Sequence, residues 1–155
     1  MRGNPEVLAA LAVLLANELT AINQYLLHGQ KCADWGYERL AAKFREESAG
    51  ERTHADELIA RILFLEGTPD LNRMHAVKTG SSVKELLEAD RDMEHAAIAA
   101  LERGIRVCRE KSDNASEDLM MKILVAEQED THWLESQLEL IRQVGEQNYL
   151  AQQLA

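Results

Sequence analysis

Four glutamates, one histidine and one aspartate stand at spacings that suit metal-ion binding. Glu51 and His54 are three residues apart. On an α-helix, residues three apart lie on one face, a turn from each other, so a carboxylate and an imidazole can hold one cation. Alone the pair says little, because an acidic helical chain contains such pairs by chance. The wider spacing says more. Glu18 precedes Glu51 by 33 residues, Glu94 precedes Glu127 by 33, and Asp130 follows Glu127 by three as His54 follows Glu51. The second set repeats the first with an offset of 76. Two helical hairpins built on this repeat would bring Glu18, Glu51, His54, Glu94, Glu127 and Asp130 to one level of a bundle. Carboxylate oxygens with imidazole suit iron or manganese, and open coordination positions permit oxygen chemistry.

The pattern predicts the helices that must carry these residues. Asn4 is a candidate cap and Pro5 suits a first helical turn. The first helix runs to about Asp34, with a seam of Leu8, Leu11, Leu15, Glu18, Ile22 and Tyr25, and Trp35-Gly36 breaks it. The second runs from Glu38 to Glu66, with seam Leu40, Phe44, Glu47, Glu51, His54, Leu58, Ile62 and Leu65, and ends at Gly67-Thr68-Pro69. Residues 67–82 form a connection that is long for a helix–helix link. Ser81 or Ser82 caps the third helix, with Glu85 placed to complete a capping box with Ser82. Its seam is Val83, Leu87, Asp90, Glu94, Ala97, Leu101 and Cys108. After Ser112-Asp113-Asn114, the fourth helix reaches Val144 along Met120, Ile123, Glu127, Asp130, Leu134 and Ile141. Gly145 precedes a short fifth helix, Glu146 to about Leu154. No strand pattern occurs. Short turn, long crossover, short turn describes an all-α, ferritin-like four-helix bundle with one long crossover and a short C-terminal fifth helix.

Composition sets limits. The 155 residues read as one domain, 1–155, able to bury a core. With 28% charged residues and a net charge of -10, the chain disfavours nucleic acid and anionic membranes and attracts cations. Cys32 and Cys108 are too few for a disulfide framework, so a reducing cytoplasm is the expected location and buried packing their expected role. Val7 to Ala16 resembles a signal-peptide apolar region. It is too short to span a bilayer, and its period continues through Glu18 to Tyr25 as a helix seam.

A carboxylate on a core seam is costly unless it is paired or bound to metal. Glu18, Glu51, Glu94 and Glu127 stand on four separate seams among Leu, Ile and Ala. The bland alternative is that these seams are solvated or that Lys and Arg pair with the carboxylates. Tyr25, on the face of Glu18, is placed to hydrogen-bond a ligand, to take part in electron transfer or simply to pack. Asp90 is a supporting group or a cation guide, and Glu47 is an access ligand, a surface charge or a lining group. His28, His75 and His95 have no partner legible in the sequence and are expected in surface or packing roles, as are Trp35, Trp133 and the methionines Met93, Met120 and Met121.

Over its whole length the sequence resembles bacterioferritin, the iron-storage branch of the ferritin family. The resemblance rests on Arg2-Gly3-Asn4-Pro5-Glu6-Val7, Asn17-Glu18-Leu19, Ala21-Ile22-Asn23-Gln24-Tyr25, Asp34-Trp35-Gly36, His54-Ala55-Asp56 and Arg61 to Gly67. Leu86 to Asp90 and Asn148-Tyr149-Leu150 complete it. It implies a shell of twenty-four subunits around an iron-mineral cavity, and a di-iron centre in each bundle that oxidises Fe(II) with oxygen or hydrogen peroxide. The ligands it implies are Glu18, Glu51, His54, Glu94 and Glu127, with Glu51 and Glu127 bridging.

Two residues depart from the family pattern. The second pair there is Glu-x-x-His, whereas Asp130 stands here. An aspartate is shorter than histidine and adds a negative charge, so one ordinary and one altered metal position are expected. His132 points away from Asp130 and does not replace the missing imidazole. The second departure is Arg52, where the family has the methionine that ligates a haem shared by two subunits. Guanidinium has no lone pair to offer. A homo-oligomer of this chain is therefore expected to lack that haem, and a mixed shell with a haem-binding subunit would supply it. The functions expected are iron storage with ferroxidase activity, a structural or partner subunit of a mixed shell with an impaired site, or a di-metal enzyme, using manganese for instance, that stores nothing.

Overall fold

The computed structural model describes all residues from Met1 to Ala155. Five helices follow in order: α1 (Pro5–Asp34), α2 (Glu38–Phe64), α3 (Val83–Glu110), α4 (Asn114–Val144) and α5 (Glu146–Ala151). There are no strands. The architecture is the expected ferritin-like four-helix bundle with a short C-terminal helix. At 27–31 residues each, the four long helices span roughly 40–45 Å.

Local signals set most boundaries. Asn4 Oδ1 accepts from the Glu6 amide at 2.8 Å, ahead of Pro5. Ser82 Oγ accepts from the Glu85 amide at 3.2 Å. The reciprocal half of the capping box is displaced by one residue, because the Glu85 carboxylate accepts from the Ser81 amide at 2.6 Å rather than from Ser82. α2 stops at Phe64, two residues before the expected end. There Glu66 takes the left-handed conformation, with φ 62°, and not Gly67. Gly67 serves packing instead: a Cβ on it would lie 2.7 Å from Leu8 Cδ2. α5 ends at Ala151, short of the expected Leu154.

The crossover fixes the topology. It starts beside the N-terminus, where the Gly3 amide donates to the Leu65 carbonyl at 2.9 Å. It then runs alongside α1. The His75 amide donates to Thr20 Oγ1, the Lys78 amide to Gln24 Oε1, and Lys31 Nζ to the Gly80 carbonyl. The chain is thereby delivered to the far end of α1, so α3 runs antiparallel to it. Contacts between Gln24 and Asp90, Tyr25 and Glu94, and Glu6 and Lys111 mark that direction. α1 pairs with α2, and α3 with α4, as hairpins. α1 is long and apolar enough, by length and composition, to cross a membrane. Here it is a core helix of the bundle, with Glu18, Gln24 and His28 buried on it.

Apolar packing falls into two clusters. One holds Leu11, Leu15, Leu58, Leu101, Met120 and Ile123. The other holds Tyr25, Leu40, Phe44, Leu86, Leu87 and Leu134, closed at its end by Tyr149 of α5. The predicted seams are buried or half-buried throughout. Cys32 and Cys108 are buried free thiols, as expected. Met120 packs in the core, whereas Met121 is exposed on the outer face of α4.

Of the surface or packing roles expected for His28, the structure gives it a buried one, with a partner that the sequence does not reveal. It is fully buried, and its Nδ1 lies 2.9 Å from Asp90 Oδ1. Its Nε2 lies 3.1 Å from Thr79 Oγ1 of the crossover. Gln24 Nε2 donates to the same Asp90 at 2.8 Å. The crossover is thus strapped to α1 and α3 through one buried polar node. His28→Ala removes one of the two side chains that hold Asp90 and is expected to cost about 1–3 kcal/mol, read as a lower denaturation midpoint. Amides of residues 75–80 should also exchange faster; unchanged exchange there would refute the strap.

Candidate metal centre

Glu18 comes from α1, Glu51 and His54 from α2, Glu94 from α3, and Glu127 and Asp130 from α4. The structure brings all six together between the two apolar clusters. Oxygen and nitrogen atoms of Glu18, Glu51, His54 and Glu127 lie within 4.8 Å of one another, as do those of Glu51, Glu94, Glu127 and Asp130. The two quartets share Glu51 and Glu127. The helical repeat explains this: equal spacings on two antiparallel hairpins place equivalent residues at equal height.

The four glutamates are 1–3% exposed. Five buried atoms have no hydrogen-bond partner: Glu18 Oε2, Glu51 Oε2, His54 Nδ1, Glu94 Oε2 and Glu127 Oε1. His54 Nδ1 lies 3.3 Å from Glu127 Oε1, 3.6 Å from Glu51 Oε2 and 3.7 Å from Glu18 Oε2. Buried polar atoms are ordinarily satisfied. Five orphans converging on shared space fit cations that the donor set would ligate. Tyr25 takes the first of its expected roles: its hydroxyl donates to Glu94 Oε1 at 2.7 Å. Asp90, bound to His28 and Gln24, belongs to neither quartet.

Charge crowding shapes protonation. Burial, with neighbouring carboxylates, pushes Glu18, Glu51 and Glu94 well above the usual carboxylate range. Burial acts the same way on Glu127 but is outweighed by the Glu94, His54 and Glu51 side chains close to it, so Glu127 is lowered. Burial would lower His54, yet Glu127 and Glu51 beside it hold it up to about 10. Asp130 is pushed up to about 8 by burial and by the Glu47 and Glu127 carboxylates. The metal-free centre therefore holds protons where metal ions would offset the charge.

One opening reaches these residues. A cavity of about 380 Å³ between α2 and α4 is lined by Lys43, Glu47, His54, Asp130 and Trp133. Glu47 is buried and paired with Lys43 at 2.7 Å, an arrangement the sequence reading did not foresee. The signal was present: Lys43 stands one turn before Glu47 on the same face. His132 is exposed and takes no part, as expected. Arg52 is exposed on the outer side of α2. A guanidinium there does not fit the axial position of a haem.

Comparison with known proteins agrees with this geometry. A family model for the ferritin-like domain matches residues 8–144. A protein of Synechocystis sp. named bacterial ferritin is 45% identical over the whole of both chains. A Mycobacterium tuberculosis bacterioferritin is 44% identical, covering 98% of this chain and 96% of its own. A Streptomyces coelicolor bacterioferritin is 44% identical, covering 97% and 90%. The chain belongs to the bacterioferritin branch of the ferritin family. Within this ferritin-family bundle, the raised pKa of Asp130 makes a prediction. Its folded value lies above the ordinary aspartate range, so the stabilising protonation is present at low pH and is lost as pH rises through about 8. Metal-free protein should lose thermal stability over that rise, and Asp130→Asn should flatten the loss. Identical curves for the two proteins would exclude the assignment.

Proposed function

We propose that this chain is an iron-storage subunit that oxidises Fe(II) at a two-metal centre inside the bundle and passes Fe(III) to a mineral cavity. The observation that carries this reading is the pair of quartets sharing Glu51 and Glu127, with five unpartnered donor atoms turned into them. Fe(II) is the substrate. Glu51 and Glu127 bridge two positions, Glu18 and His54 complete one, and Glu94 and Asp130 complete the other. Two ferrous ions give up two electrons together, matching the reduction of dioxygen to hydrogen peroxide, or of hydrogen peroxide to water.

The residues of the chain do the positioning. Tyr25 orients the Glu94 carboxylate through its hydroxyl, a role that supporting groups commonly take at metal sites. Five carboxylates exceed the charge of two ferrous ions, so one keeps a proton or swings away. Asp130 lies within reach of the second position, which supports a working centre over an impaired one. The oxygen-rich set also admits manganese. The resemblance to bacterioferritins supports a shell of twenty-four copies in the cytoplasm, with haem excluded from residue 52 in a shell of this chain alone.

Rapid mixing of Fe(II) with metal-free protein should give a fast oxidation phase that saturates near two ions per subunit, one for each quartet, and disappears in Glu127→Ala. No fast phase above buffer would reassign the chain to a partner subunit of a mixed shell. Homo-oligomer purified from haem-replete cells should show no bis-methionine haem spectrum, and a sharp haem band would overturn the exclusion at Arg52.

A further inference from the structure

The mouth of the centre contains a cation supplied by the chain itself. Lys43 Nζ lies 2.7 Å from Glu47 Oε1, and the two side chains are 29% and 9% exposed. The ammonium also sits 5.0 Å from the centroid of the Trp133 ring. These residues line the cavity that ends at His54 and Asp130, one from each quartet. Glu46 and Glu129 lie at the same opening. Four carboxyl groups with one ammonium make an opening that draws cations, and Lys43 is already bound within it.

An ordinary ion pair four residues apart on a helix would lie on an open surface and be screened by water. This one is different. Glu47 is nearly enclosed, the ammonium faces the Trp133 ring, and the pair lines the cavity that reaches His54 and Asp130. The Glu47 and Asp130 carboxylates both raise the affinity of Lys43 for its proton, outweighing burial, which would lower it. Without a counter-ion at this point, the carboxylates of Glu46, Glu47 and Glu129 would leave the metal-free mouth with unopposed negative charge.

We propose that Lys43 is a tethered cation that occupies the mouth of the metal centre and must be displaced from Glu47 by each incoming Fe(II). Lys43 is then a positioning residue that sets the iron concentration at which the centre loads. It lowers the negative charge of the mouth between loadings and takes no part in oxidation. The proposal rests on the two-metal reading of the centre.

Stopped-flow binding of Co(II) to metal-free full-length protein separates the two ideas, since Co(II) absorbs in the visible when ligated and needs no turnover. Wild-type protein should take up two Co(II) per subunit, one for each quartet. Lys43→Gln should bind the same number with an association rate raised about tenfold, the scale expected when a unit charge is removed from the path of a divalent cation. Lys43→Met keeps the alkyl stem against Trp133 and should accelerate equally, while Lys43→Arg should retain the wild-type rate. The acceleration should shrink as salt is raised. Full Co(II) binding with wild-type rates in both neutral variants overturns the displaced-cation role and leaves the centre standing. Wild-type protein that binds no Co(II) overturns the centre and the proposal with it.

Discussion

Carboxylates from four helices meet inside this bundle with almost no access to water, and the rest of the structure accommodates that meeting. Each buried charge costs several kcal/mol unless it is offset, whereas a buried leucine or phenylalanine side chain returns about 1.5–3 kcal/mol. The apolar residues gather mainly on either side of the glutamates. They form one cluster around Leu58 and Leu101 and another around Phe44 and Leu87, with the acidic layer between them. Protons shared among Glu18, Glu51 and Glu94, and the charge on His54, relieve the crowding in the metal-free chain.

The polar groups around the centre are arranged by distance from it. Tyr25 touches Glu94 directly. One turn further along, Asp90, His28 and Gln24 form a separate node that faces the crossover and not the centre. That node links a loop of exposed residues to two core helices, and those helices carry Glu18 and Glu94. No crossover residue enters either quartet.

Much of this was legible in the sequence, because helices translate spacing into geometry. An offset of 76 between two Glu…Glu-x-x-His/Asp sets gives equal heights on two hairpins, and the seams followed from steps of three and four. What escaped notice depends on contacts between helices. His28 looked unpartnered because Asp90 is 62 residues away, and only the long crossover, which sets the direction of α3, brings them together. The Lys43–Glu47 pair was visible as a spacing, but its place over the opening depends on Trp133 of α4. The left-handed residue after α2 fell on Glu66 because Gly67 is needed for packing against Leu8. That contact has no signature along the chain.

The internal repeat also shows where the two halves have diverged. By the same offset, Lys43, Glu47 and Tyr25 of the first half correspond to Leu119, Ile123 and Leu101 of the second. Ile123 and Leu101 belong to the apolar core and Leu119 packs against it. The ligand layer is close to two-fold symmetric while its surroundings are not. The Lys43–Glu47 pair and the tyrosine come from the first half alone, and the second half has hydrocarbon at the matching positions. The acidic layer therefore has a front, the opening between α2 and α4 that ends at His54 and Asp130, and a back packed with hydrocarbon.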